Sequence, residues 1–422
     1  MAKKKEKEEV VEENNITEIA NDEKGNSFEI PKEYLEKRVL YSLGFRNIDT
    51  NIAFNVYDEN TAELIKTNRG ILSGSLIGYI GVSGAGKSTL ATQHMANLIR
   101  PFINKGDKRV KCHIFEVESP LPRPRFKNIT NLTDEEIHDH LVWEERVSID
   151  GLKELLAKIV ATKDGEKRDK VIGYMNREVD VYYPTFIIVD SMSEIMPENL
   201  LEVDKKDNNM LNARQALELD MLFKKYMTRF AKYNINILYI SHIGTKFADV
   251  NNPMARPTRD WKAMKADINI KGGKQLQYCT DLGIFIEKVV SANEEATKKE
   301  ASYLKSDHIM QAKLYKNRQG RPGDTIYLVA DNDGFNPMKS FIYECTQCKI
   351  IESAGSVRKI KGWEENMRSD KLIPTFVENP EFRRLLYKLY DEEKKHVFEA
   401  NKKSGEDRRK QLEILNMMSE EF

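Results

Sequence analysis

The sequence predicts an α/β fold: a mainly parallel central sheet flanked by helices, with a short N-terminal segment before it and a small α+β C-terminal domain after it. Three observations lead there. From Gly70 onward, short and almost continuously apolar runs alternate with longer stretches of helical periodicity, the pattern of buried parallel strands joined by crossover helices. A glycine-rich run, Gly81–Ser88, stands between one apolar run and a helical stretch. The later apolar runs lie closer together, so the sheet is expected to end in antiparallel hairpins.

Taken in order, residues 1–26 are rich in Lys, Glu and Asn and poor in large apolar groups, which reads as a disordered arm. Residues 27–69 form an N-terminal helix and linker, with Tyr34, Leu35, Val39, Leu40 and Leu43 suggesting a short amphipathic helix. The core spans 70–332. Its strands are read from SLIGYIGV, KCHIFEVE, TFIIVDS, NINILYIS, LGIFIEKVV and DTIYLVAD. Its clearest helix places Leu219, Leu222, Phe223, Tyr226, Phe230 and Tyr233 on one face of a 3.6-residue period. A small domain over 333–395 and a charged tail over 396–422 complete the chain.

Composition narrows the function classes. Lys+Arg and Asp+Glu each number 67 among 422 residues, so no global basic field marks a nucleic-acid binder, although a local patch suffices to meet phosphates. Four cysteines do not suggest a disulfide framework, and a reduced cytoplasmic setting is expected. The pair Cys345–Cys348 lacks the second pair that a structural zinc site requires. The N-terminus has no apolar run of a signal peptide, and no segment approaches the ~18 apolar residues of a membrane span.

The run Gly81-Val82-Ser83-Gly84-Ala85-Gly86-Lys87-Ser88 fits G-x-x-x-x-G-K-[ST] in full and is followed by Thr89 and the helical TLATQHMANLIR. Glycines there let successive backbone N–H groups turn toward phosphate oxygens, and the helix N-terminus adds partial positive charge. Lys87 is expected to reach the β- and γ-phosphates of ATP, and Ser88 to ligate Mg²⁺. Asp190, ending TFIIVD, is expected beside this loop as a second holder of the metal shell. Glu118, ending KCHIFEVE, is the candidate base for the attacking water. Glu116 shares its face by strand alternation, and position nearer the strand end favours Glu118. His242, at the tip of NINILYISH, could touch a γ-phosphate and pass its presence to the following loop.

This ordered set resembles the RecA family of strand-exchange recombinases, with the nearer likeness to the UvsX-type proteins of large bacteriophages. The acid-x-Glu ending is matched by Glu116-Val117-Glu118, and the strand-tip polar group, Gln in bacterial RecA and His in UvsX-type proteins, is His242. Gly272-Gly273-Lys274-Gln275-Leu276 looks like the family's helix start after its second DNA-binding loop. Lys316-Asn317-Arg318 looks like the cation pair that crosses to the neighbouring protomer's ATP, and DGFNPMKSFIYECTQCKIIESAGS with NPEFRRLLYKLYD is similar to the UvsX-type C-terminal part.

The resemblance implies a RecA-like P-loop ATPase core that uses ATP and Mg²⁺. It implies catalytic roles for Lys87, Glu118, His242, Lys316 and Arg318, and protomer contact by the N-terminal helix. Partners would be single-stranded DNA, homologous duplex DNA and further copies of the chain in a helical filament, helped by a single-strand-binding protein or a recombination mediator. The setting would be a bacterial host's cytoplasm, with no membrane partner. Two loops would hold DNA: the first over 196–210 with Lys205 and Lys206, the second over 244–271 with Lys246, Arg256, Arg259, Trp261 and Lys262, then Gly272 and Gly273. Interleaved cations and an aromatic suit backbone tracking and base stacking, while Asp249, Asp260 and Asp267 dilute the charge. Rival readings are a hexameric helicase of the same superfamily and a low-turnover, ATP-gated DNA-binding scaffold.

Overall fold

The computed structural model describes residues 36–58, 63–118, 121–200, 208–244, 269–270, 274–289, 304, 308–322 and 324–399. It is an α/β protein. Among the described residues the main sheet has ten strands, of which Asn269–Ile270 pairs to one side and nine form a continuous path: β1 (Leu76–Gly81), β2 (Lys111–Glu116), β3 (Leu141–Trp143), β4 (Thr185–Asp190), β5 (Ile235–Gly244), β6 (Leu282–Lys288), β7 (His308–Asn317), β8 (Thr325–Asp331) and β9 (Gly334–Phe335). Their order across the sheet is β9-β8-β7-β6-β1-β5-β4-β2-β3. Every pairing from β6 to β3 is parallel, and the β6–β7–β8–β9 arm is antiparallel, as the spacing of the later runs predicts.

The parallel strands are apolar on both faces because both faces are covered. In β4, Phe186 and Ile188 join the cluster formed with Leu90, Met95 and Ile99 of α2 (Lys87–Ile103). Ile187 and Val189 join the opposite cluster with α3 (Ile149–Asp164) and α4 (Asn208–Tyr233). The six-residue stripe expected of α4, from Leu219 to Tyr233, is buried throughout.

Several elements depart from the sequence reading. Leu40–Tyr41 is not helical but a short strand paired with Ile71–Leu72. Tyr34 and Leu35 lie outside the described residues, and a helix of this segment is α1 (Arg46–Asn51), where Phe45, Ile48 and Ile52 are fully buried. Strand β7 was not expected, although Met310, Ala312 and Leu314 alternate inward between polar neighbours. Gly334–Phe335 closes the main sheet, so the C-terminal unit begins at α6 (Pro337–Gln347).

That unit adds a three-stranded antiparallel sheet, Ile351–Ala354, Val357–Ile360 and Met367–Arg368, and α7 (Pro380–Glu393). Phe341, Phe382, Leu386 and Tyr390 form its core. Asp391 binds Arg46 and Arg69, at 2.6 and 2.8 Å, and Tyr390 accepts from Asn51 at 2.8 Å, which fastens the unit to α1. Among the described residues, no helix is long and apolar enough to cross a membrane.

Candidate nucleotide-binding site

The loop from Gly81 to Ser88 leaves β1 at the carboxyl edge of the parallel strands, the edge where open α/β sheets bind ligands. Val82, Ser83 and Gly84 are exposed, and Ala85 turns inward. Gly84 and Gly86 take left-handed backbone angles, φ +73° and +85°, which glycine adopts without steric cost. A side chain on Gly86 would also come within 2.7 Å of the Phe335 ring. Gln93 pins that phenylalanine by accepting from its N–H at 2.9 Å and donating to its carbonyl at 2.8 Å. Sequence reasoning missed both residues, because they matter only once β9 lies against α2.

Helix α2 starts at Lys87, followed by Ser88 and Thr89 in its first turn. Lys87 is largely buried, and its ammonium donates to Val82 O at 2.9 Å. Burial lowers its pKa, opposed by the nearby charges of Asp190 and Glu118. The strand directly beside β1 is β5, with His242 in register with Gly81. Asp190 ends β4, on the far side of β5, and the Ser88 hydroxyl is still close enough to counter the rise that burial gives its pKa. Burial raises the Asp190 pKa, and its Oδ1 is buried without a protein partner. A hydroxyl and a carboxylate with a spare buried oxygen, beside a loop able to turn N–H groups outward, form a donor set that fits Mg²⁺.

Glu118 follows the end of β2. Its backbone N–H and that of Val117 both donate to Asp190 O, at 3.4 and 2.8 Å. Its Oε1 lies 2.8 Å from His242 Nε2. This hydrogen bond is the main reason that the Glu118 pKa is lowered, with Ser191 adding to it and burial opposing. Glu116 lies apart from this contact, which separates the two acids that strand alternation leaves equivalent. The serines after Asp190 add further links: Ser193 Oγ accepts from His242 N–H at 3.3 Å and lies 3.0 Å from Ser191 Oγ.

Lys316 and Arg318 are at the other end of the sheet. Asn317 is in register with Leu282, which is in register with Ile77 near the start of β1. Lys316 Nζ donates to Gln277 O and Tyr278 O, at 2.5 and 2.7 Å, and Arg318 also donates to Tyr278 O. Both therefore cap the carbonyl end of α5 (Lys274–Cys279), the favourable position for cations. Arg318 also lies 3.5 Å from the part-buried Asp281, whose other oxygen accepts from Leu76 N–H. Burial, with Arg318 beside it, lowers the Lys316 pKa to about 8. Within one chain, the cation pair and the Gly81–Ser88 loop sit at opposite edges.

The proposed DNA contacts Lys205, Lys206, Lys246, Arg256, Arg259, Trp261, Lys262, Gly272 and Gly273 lie outside the described residues. The second loop's stem is described: Ile243 and Gly244 pair antiparallel with Ile270 and Asn269. The loop therefore leaves from and returns to the strand that carries His242. No protein-family model matches the chain, and no curated protein matches it at a significant level.

Proposed function

We propose that this chain is an ATP-dependent, DNA-stimulated recombinase with a RecA-like core, of the UvsX type, which forms filaments on single-stranded DNA and catalyses homologous pairing and strand exchange. One observation carries the reading. Lys87, Ser88–Asp190, Glu118 and His242 converge at one edge of the sheet, and the 245–268 loop is rooted two residues beyond His242.

In this reading the Gly81–Ser88 backbone and Lys87 bind the phosphates of ATP, and Ser88 and Asp190 hold Mg²⁺. The metal supplies charge neutralisation on the phosphate oxygens. Glu118, kept ionised by His242, orients and deprotonates the attacking water. His242 is shared between Glu118 and the stem of the second loop, so a change at one is felt at the other. Lys316 and Arg318 point away from their own loop and serve a neighbouring protomer's γ-phosphate, as an arginine finger does. Strand contacts would be chiefly to phosphates, because a recombinase accepts any sequence.

The test is steady-state ATP hydrolysis with and without single-stranded DNA, for the wild type, Glu118→Gln and Arg318→Ala, with the same samples viewed by electron microscopy. DNA-stimulated turnover lost in both variants, with helical filaments on the DNA, supports the recombinase. Closed rings with strand unwinding would replace it by a hexameric helicase. Tight ATP binding with a rate indifferent to DNA would leave an ATP-gated scaffold.

A further inference from the structure

Two acids stand two residues apart where β2 ends, and the proposed chemistry uses only Glu118. Glu116 has its own partners. Its Oε1 accepts from Leu121 N–H at 3.3 Å, and the Trp143 indole N–H is close enough to counter the rise that burial gives its pKa. Leu121 precedes the helix Arg123–Thr130, and Trp143 ends the edge strand β3. One carboxylate thus joins three segments that meet beside the candidate site.

Glu116 and Leu121 flank Glu118 in the chain. Before it, Val117 and Glu118 are held by their two N–H donations to Asp190 O. Beyond it, Leu121 is tied back to Glu116 by its N–H. The Trp143 ring packs on Phe126, centroids 5.8 Å apart. These two rings, with Met95 and Ile114, wall a cavity of ≈ 260 Å³ that both Glu116 and Asp190 line.

We propose that Glu116 is a positioning residue, whose hold on Leu121 beside Trp143 keeps Glu118 at its working reach. The inference rests on the ATPase reading above. Both partners are N–H donors, so an acceptor oxygen is what the position requires: glutamine retains one, and alanine retains none. Displacement of a catalytic group by about 1 Å can cost about 10²-fold in rate, while the phosphate-binding loop is untouched.

The experiment compares DNA-stimulated ATP hydrolysis by the wild type, Glu116→Gln, Glu116→Ala and Glu116→Asp, with KM for ATP and kcat determined separately. Glu116→Ala is expected to lose up to about 10²-fold in kcat at unchanged KM, and Glu116→Gln to recover most of it. Wild-type kcat in Glu116→Ala, a loss confined to KM, or a glutamine variant as slow as alanine would each overturn the proposal. Where the alanine variant does not fold, Glu116→Asp decides. Its acceptor is one methylene short, so kcat should fall at unchanged KM, and a wild-type kcat would overturn the proposal. A wild type that does not hydrolyse ATP overturns the ATPase reading and this inference together; hydrolysis by the wild type with no effect of the variants overturns this inference alone.

Discussion

Glu118 Oε1 and His242 Nε2 lie 2.8 Å apart, although 124 residues separate them in the chain. The contact spans two different strand ends, and it ties the candidate base to the root of the second loop. Glu118→Gln keeps the shape but removes the base, so hydrolysis is expected to fall by about 10²–10⁴-fold with ATP binding retained. His242→Ala removes the interaction that most lowers the Glu118 pKa. The carboxylate then becomes protonated at a higher pH, and the acid limb of the pH–rate profile moves upward. Single-turnover rates from pH 5 to pH 8 measure this; an unmoved limb would mean that His242 does not control Glu118.

Two glycines of the loop separate conformational cost from steric cost. Gly84→Ala meets no neighbouring atom within 4 Å and carries only the left-handed backbone penalty, about 1–2 kcal/mol. Gly86→Ala carries the same penalty and also drives a methyl into Phe335. Thermal melts of the protein alone are expected to fall further for Gly86→Ala, and binding of a fluorescent ATP analogue to be lost. In a Phe335→Ala background, itself destabilised by loss of a buried ring, Gly86→Ala should lower the melting temperature less than it does in the wild type. An equal fall in both backgrounds would show that the clash is not the cause.

Much of this site was legible in the sequence because its parts follow from local rules. A strand followed by a glycine-rich turn and a helix is written in consecutive residues, and Asp190 and Glu118 are readable from the ends of apolar runs. The order of strands is not local, so the insertion of β5 between β1 and β4 could not be read from the sequence. The short strand at Leu40–Tyr41 was read as helix because its apolar spacing fits both periods, and its pairing with Ile71–Leu72 decided the outcome. The Phe335–Gln93 lock and the Glu116–Trp143 contact join distant segments and leave no periodic trace.

Asp391 holds the C-terminal unit to the core through two guanidinium groups, and all three side chains are about one quarter exposed. Asp391→Ala leaves Arg46 and Arg69 facing one another without their shared carboxylate. Loss of charge-assisted hydrogen bonds of this kind costs about 1.5–3 kcal/mol. Denaturant unfolding followed by circular dichroism should show that loss, with ATP binding preserved if the two parts fold independently.

Glu344 gives the C-terminal unit a pH dependence. Burial raises its pKa to about 7, opposed by Lys394 at 3.6 Å and by the Tyr327 N–H that it accepts at 2.9 Å. The folded state therefore binds more protons than the unfolded chain between the ordinary glutamate value and about 7. Its contribution to stability is full below that window and is lost as pH rises through the folded value. Glu344→Gln keeps an acceptor for Tyr327 and cannot titrate. The melting temperature of the wild type, relative to this variant, should decline from pH 5 to pH 8; a constant difference would show that Glu344 is not the titrating group.

The positions of Lys316 and Arg318 make the sharpest prediction about assembly. They cap α5 at one edge of the sheet, and the Gly81–Ser88 loop opens at the other. Through Gly283, Lys316 is in register with Gly78 of β1, two strands aside and three residues before Gly81, a diagonal of about 14 Å from spacings of about 4.8 Å between strands and about 3.3 Å per residue, beyond what a lysine or arginine side chain can bridge. A protomer cannot bring these cations to its own phosphates. A Lys316→Ala/Arg318→Ala chain therefore keeps a sound loop, and a Lys87→Ala chain keeps sound cations. Each alone should be inactive in DNA-stimulated hydrolysis. Mixed in equal amounts on single-stranded DNA, they form junctions in which an intact loop meets intact cations, and about one quarter of junctions should be of this kind if mixing is random and each cation pair serves one neighbour. Recovered turnover, rising and falling with the mixing ratio and peaking near equality, would show completion in trans. A mixture as inactive as its components would mean that the cation pair acts only on α5, where it stabilises the helix that follows the second loop.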